Sequence, residues 1–89
     1  MEVKYREAFL RDIKKLKKLT VYQDVYEMVF TLLPQAKTLQ DIPSLKPLEG
    51  YAKRYRIRVG DYRIGLQLEG QTLQVMRVLH RRDFYRYFP

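Results

Sequence analysis

The chemistry of this chain is concentrated in residues 51–89. The stretch YAKRYRIRVGDYR, residues 51–63, alternates Arg54, Arg56 and Arg58 with Tyr55, Ile57 and Val59. A period of two reads as a strand with one apolar face and one arginine face. Gly60-Asp61 fits a two-residue hairpin turn, because Gly supplies the positive φ that a type II′ turn needs. Val59 then pairs with Tyr62, Arg58 lies opposite Arg63, and Arg56 sits one pair further along. Like charges placed opposite each other destabilise a sheet. The three guanidiniums therefore either splay into water or hold an anion, and the planar fork of arginine suits phosphate.

The tail adds His80, Arg81 and Tyr85. Placed at the end of the last strand, they approach Arg56, Arg58 and Arg63. A phosphate cradle beside two groups that can move protons is the inventory for cleaving RNA by transesterification. A base takes the proton of a ribose 2′-OH, cations stabilise the charge on the phosphoryl oxygens, and an acid protonates the leaving 5′ oxygen. Such chemistry calls for no cofactor. The lone His and the scattered carboxylates show no metal-ligand spacing, so no metal site is expected. A Gly-rich phosphate loop and a Ser-His-Asp signature are both absent. Lys53, Arg54, Arg82 and Arg86 widen the basic surface as candidate RNA-phosphate contacts. The same residues leave plainer readings open: a surface histidine, a packed tyrosine, or an arginine face that binds an acidic peptide.

The elements that position these groups follow from periodicity. Glu2 to Tyr5 reads as a short strand with Val3 and Tyr5 inward. Ala8 to Lys18 reads as a helix, with Phe9, Ile13 and Leu16 recurring at i, i+4 and i+7. Thr20 can cap a second helix running to about Leu33, with Val21, Val25, Met28, Val29, Leu32 and Leu33 as its buried stripe. Pro34 ends that helix or closely follows its end. Residues 35–50 are the least regular, although Leu39, Ile42, Leu45 and Leu48 pin them to the core. Three meander strands follow: Tyr51 to Val59, Tyr62 to Glu69 and Thr72 to Leu79. Counting pairs across Gly70-Gln71 sets Leu68 opposite Leu73 and Leu66 opposite Val75. The count puts Gln74, Met76, Val78 and His80 on the arginine face. It turns Arg77 toward the helices, which calls either for a place at the sheet's end or for a carboxylate partner. Asp83 can start a short helix in which Phe84 and Phe88 anchor the tail and Tyr85 stays free. The expected architecture is α+β: a strand and a helical hairpin packed on an antiparallel sheet.

Composition sets the outer limits. Eighty-nine residues, 46% of them hydrophobic, suffice for a single domain over 1–89 with one modest core. The absence of cysteine excludes disulfides and thiolate metal sites. With no long apolar run and no signal-peptide pattern, a soluble cytoplasmic protein with no membrane contact is expected. The net charge is +8 and uneven. Residues 1–50 hold nine basic and seven acidic residues, whereas residues 51–89 hold nine basic and three acidic. That asymmetry favours a nucleic acid or an acidic protein as partner.

The segments YRIRVGDYRIGLQ and VMRVLHRRDFYRYFP, preceded by LKPLEG, resemble the RelE/ParE superfamily of bacterial and archaeal toxins. The resemblance runs through the whole chain in order. It implies a microbial-ribonuclease-like α+β fold. The RelE branch implies cleavage of messenger RNA in the ribosomal A site, and a cognate antitoxin, a small acidic protein, holding the toxin inactive in a hetero-oligomer. On this resemblance Arg56 and Arg58 match the two basic residues of the first meander strand. Arg63 matches the arginine after the turn, and Arg81 the basic residue after the last strand. Tyr85 lies near the C-terminal tyrosine, at a spacing from Arg81 unlike that of some members. His80 matches a histidine of some branches. Members often carry lysine where Arg56 and Arg58 stand. Arginine stays protonated in proteins, so these two suit phosphate binding and the proton work moves to Tyr85 and His80. The ParE branch implies the alternative, a non-enzymatic toxin that binds DNA gyrase.

Overall fold

The computed structural model, which describes residues 1–89, is built on one five-stranded sheet. Its strands are β1 (Glu2–Tyr5), β2 (Leu45–Pro47), β3 (Arg54–Val59), β4 (Tyr62–Glu69) and β5 (Thr72–His80), in the order β1-β5-β4-β3-β2. Strands β3, β4 and β5 form the expected antiparallel meander. Gly60 and Gly70 take φ of +57° and +60° at its two turns, where a residue with a Cβ would be strained. Val59 pairs with Tyr62, and Arg58 with Arg63.

Two features of the sheet were not expected from the sequence. β1 runs parallel to β5, from Glu2↔Thr72 to Tyr5↔Val75. No hairpin joins these distant segments, so no turn dictates their direction, and the sheet is mixed. β2 pairs antiparallel with β3 inside the stretch expected to be irregular. Pro43 and Pro47 argue against a strand there, but proline is tolerated on an edge, where its missing N–H faces outward.

The helices lie against one face. α1 (Glu7–Lys14) stops four residues short of Lys18. α2 (Val21–Glu27) continues into a π-helical turn at Met28–Leu32 and a last turn at Leu33–Gln35. Thr20 precedes α2 with helical backbone angles and makes no side-chain cap. In a regular α-helix the ring of Pro34 would press on the carbonyl four residues earlier. The wider π turn, in which Leu33 N–H bonds Met28 O, relieves that conflict, and the helix runs past Pro34. Phe9 and Ile13 from α1, Leu16 just beyond its end, Val25 from α2, and Met28, Val29 and Leu33 from the turns that continue it bury themselves on Ile57, Ile64, Leu66, Leu73, Val75 and Val78. No helix is long and apolar enough to cross a membrane.

The opposite face carries the tail. α3 (Arg81–Tyr87) anchors Phe84 and Phe88 on Leu48, with Met76 and Leu79 beside them, and leaves Tyr85 exposed. Gly65, in mid-strand, makes room for this. A Cβ there would sit 2.7 Å from the Phe88 ring.

A β-bulge changes the register where it matters. Leu66 pairs with Val75 as counted, but Gly65 pairs with Arg77, so one residue of β5 is left over. Beyond the bulge every side chain changes face. Val78 joins the helix-side core, and His80 pairs with Tyr62 on the side away from the arginines. Arg77 falls on the tail face, not the helix side. From there its guanidinium grips the Asp12 carboxylate of α1 at 2.6 and 3.0 Å, and the same carboxylate accepts from Val78 N–H at 3.1 Å. Asp12 is 5% exposed, so this pair ties α1 to the bulge with its charges mutually satisfied.

Candidate nucleic-acid interface

The β3–β4 hairpin sets the centre of the basic face. Arg58 and Arg63 are direct cross-strand partners, and Arg56 stands opposite Gly65, the next position on that face. The Arg63 guanidinium folds back over the turn and donates to Gly60 O and Tyr62 O, both at 2.9 Å. Its pKa is lowered from the ordinary arginine value, first by burial, then by the charges of Arg58 and Arg56, with Arg81 adding to them; Tyr85 acts in the opposite direction. Four predicted site residues, Arg56, Arg58, Arg81 and Tyr85, thus lie within electrostatic reach of Arg63.

The tail helix delivers the last two. Arg81 N–H donates to Asp61 O at 2.7 Å, which docks the start of α3 on the β3–β4 turn. The Arg81 guanidinium lies 3.9 Å from the Asp61 carboxylate with both groups largely exposed, a weak pair that leaves Arg81 available to a ligand. Tyr85 lies one helical turn on, its ring edge-on to Phe84 at 5.0 Å. With Arg56 it lines a cleft beside β2.

His80 does not join them. Its ring meets Tyr62 edge-on at 5.3 Å, and its Nδ1 accepts Arg82 N–H at 3.1 Å, so it caps α3. The register count missed this because a bulge carries no mark in the hydrophobic pattern. The outlying candidates spread around the cluster. Arg54 lies half-buried about 6 Å from the ring centres of Tyr51 and Phe88. Lys53 sits exposed in the turn before β3 at φ +60°. Arg82 and Arg86 are exposed along α3.

The family model described as "ParE toxin of type II toxin-antitoxin system, parDE" matches residues 3–85. The chain belongs to this family of toxins. It is 34% identical over 90 residues to Toxin RelE3 of Methanocaldococcus jannaschii, covering the whole of both chains. Among solved structures it is similar to the RelB-RelE antitoxin-toxin complex from Methanococcus jannaschii. That match has a TM-score of 0.77 and 30% identity, over 97% of this chain and 99% of the other. The RelBE2 toxin-antitoxin complex from Mycobacterium tuberculosis matches with a TM-score of 0.69 and 26% identity, over 90% and 96%. The DinJ-YafQ complex of E. coli shares the fold, with a TM-score of 0.65 at 16% identity over 94% and 97%. The RelE/ParE resemblance read from the two arginine-rich segments is borne out along the full chain, and with it the assignment as a type II toxin.

Proposed function

We propose that this toxin is an endoribonuclease that cleaves messenger RNA in the ribosomal A site. The observation that carries the reading is the gathering of Arg56, Arg58, Arg63, Arg81 and Tyr85 on one open face. In this scheme Arg56, Arg58 and Arg63 hold the phosphoryl oxygens and stabilise the pentacoordinate transition state. Tyr85 acts as its phenolate, whose negative charge Arg56 and Arg63 offset, and becomes neutral as it takes the proton of the attacking 2′-OH. The 2′ oxygen bonds to phosphorus and the bond to the 5′ oxygen breaks, leaving a 2′,3′-cyclic phosphate. Arg81 stabilises the departing 5′ oxygen, which takes its proton from solvent. Arginine stays protonated, so the cations bind and do not shuttle protons. His80, turned to the other face, has no part in the transfer.

The test is primer extension on a reporter message in a cell-free translation system. Cuts confined to translated codons are expected with the wild-type protein. Arg63→Ala should reduce them by about 100-fold or more, the scale for losing one preorganised transition-state contact. Equal cutting by both proteins would overturn the site.

The matching family model is that of a ParE toxin, which keeps the ParE-branch alternative, non-enzymatic poisoning of DNA gyrase, as a second reading. Translation that continues after induction while DNA damage accumulates would favour it. Either way a cognate antitoxin is proposed. The similar structures are toxin–antitoxin complexes, and a chain of net charge +8 calls for a small acidic partner. Failure of any such protein, expressed from the adjacent reading frame, to co-purify would count against it.

A further inference from the structure

A cleft of about 340 Å3 opens between β2 and α3 at the margin of the arginine cluster. That is at the lower end of the usual size of small-molecule sites. Buried Leu48 and the rings of Pro47 and Pro89 give it an apolar lining. Tyr51 and Tyr85 both line it, 53% and 64% exposed. Arg56 reaches it from β3. Its remaining feature is out of keeping with a phosphate cradle. Glu49 lines the same space and takes part in no ion pair, although Lys46 and Arg56 line it too.

Exposed aromatic rings over an apolar floor suit a flat aromatic ligand. Single-stranded RNA is recognised in this way, by stacking on tyrosine and hydrogen bonds to base edges. A carboxylate repels phosphate, so Glu49 serves a different part of the nucleotide. An ionised carboxylate only accepts, through two oxygens side by side. Guanine presents two adjacent donors, N1–H and N2–H, that match it. Uracil presents one donor between two acceptors, and adenine and cytosine each set an amino group beside an acceptor.

We propose that this cleft is a nucleobase pocket that selects guanine, with Tyr51 as stacking platform and Glu49 as the reader of the base edge. The inference rests on the RNA-cleaving reading of the arginine face. Arg56 and Tyr85 belong to both places, so the base held here belongs to a nucleotide flanking the scissile phosphate.

Two measurements test it. The first is an NMR titration with 5′-GMP and 5′-UMP. GMP should shift the amides of residues 46–51 and bind about tenfold more tightly than UMP. Tyr51→Ala should weaken both by about tenfold, the scale of one stacking contact. Glu49→Gln should bring the GMP-to-UMP ratio toward one. Equal responses to both nucleotides, confined to the amides around Arg58 and Arg63, would mean phosphate binding alone and overturn the pocket. The second is cleavage of messages that differ only in the base beside the cut. Wild-type protein should prefer guanine and Glu49→Gln should lose that preference. A preference unchanged in Glu49→Gln overturns the pocket. If the wild-type protein cuts nothing, the cleavage reading falls and the nucleotide titration decides the pocket on its own. Both side chains are exposed, and thermal unfolding monitored by circular dichroism checks that the variants fold.

Discussion

At the scale of single residues, His80 separates two roles that look alike on paper. A histidine beside arginines suggests proton transfer. Here the unprotonated Nδ1 is occupied as the acceptor for Arg82 N–H, which makes His80 the cap of the helix that carries Arg81 and Tyr85. A cap needs an acceptor on a short side chain and nothing else. Asn supplies one, so His80→Asn should keep both thermal stability and cleavage. His80→Ala should cost about 1 kcal/mol of stability and weaken cleavage through the looser tail. Denaturant unfolding and primer extension on both variants check this. Loss of cleavage in His80→Asn with stability intact would return His80 to proton chemistry.

At the scale of elements, the site depends on how the tail helix sits on the sheet. Phe88 packs against the backbone of Gly65, where a Cβ would come within 2.7 Å of its ring. Gly65→Ala is therefore expected to push the end of α3 outward and displace Tyr85 from Arg56. Cleavage should fall at least tenfold while the sheet and the helix-side core persist, since Gly65 faces away from the helices. Cleavage assays together with amide exchange on β4 and α3 would show it. Unchanged cleavage would mean that Phe88 slides aside without moving Tyr85. The meander, the turn glycines, the Arg58–Arg63 pairing and the Phe84 and Phe88 anchors were all legible in the sequence, because each follows from a local period or a local turn. Gly65 was not, because its importance is set by a residue 23 positions later. The Asp12–Arg77 pair and the parallel β1–β5 pairing were likewise out of reach, since each depends on contacts more than 60 residues apart, and the bulge in β5 leaves no mark in the local apolar pattern. The edge strand β2 was hidden by Pro47 within it and Pro43 just ahead of it, and the π turn by the regular apolar stripe that runs through it.

At the scale of the whole molecule, the basic face stores unfavourable energy that a ligand releases. The sign follows from Arg63. Its pKa is lowered in the folded chain by burial and by Arg58, Arg56 and Arg81. Folding therefore works against its positive charge at every pH where arginine is protonated, neutral pH included. An anion seated among the guanidiniums reverses that opposition, and anything that binds the folded chain alone stabilises it by mass action. Removing one of the facing charges relieves part of the same repulsion, so Arg58→Gln should raise stability by about 0.5 kcal/mol, within the range for like charges paired across strands. Inorganic phosphate should raise the Tm of the wild-type protein more than sodium chloride does at equal ionic strength. The excess should shrink in Arg58→Gln, whose cradle is weaker and less strained. An equal excess in both proteins would show that Arg58 takes no part in the anion site. A lower Tm for Arg58→Gln without phosphate would show that the guanidiniums splay into water and repel one another too little to matter. Binding to single-stranded RNA belongs to the same scale: its logarithm should fall linearly with the logarithm of salt, by about 0.7 for each phosphate engaged, and Arg58→Gln should reduce that slope by about one phosphate.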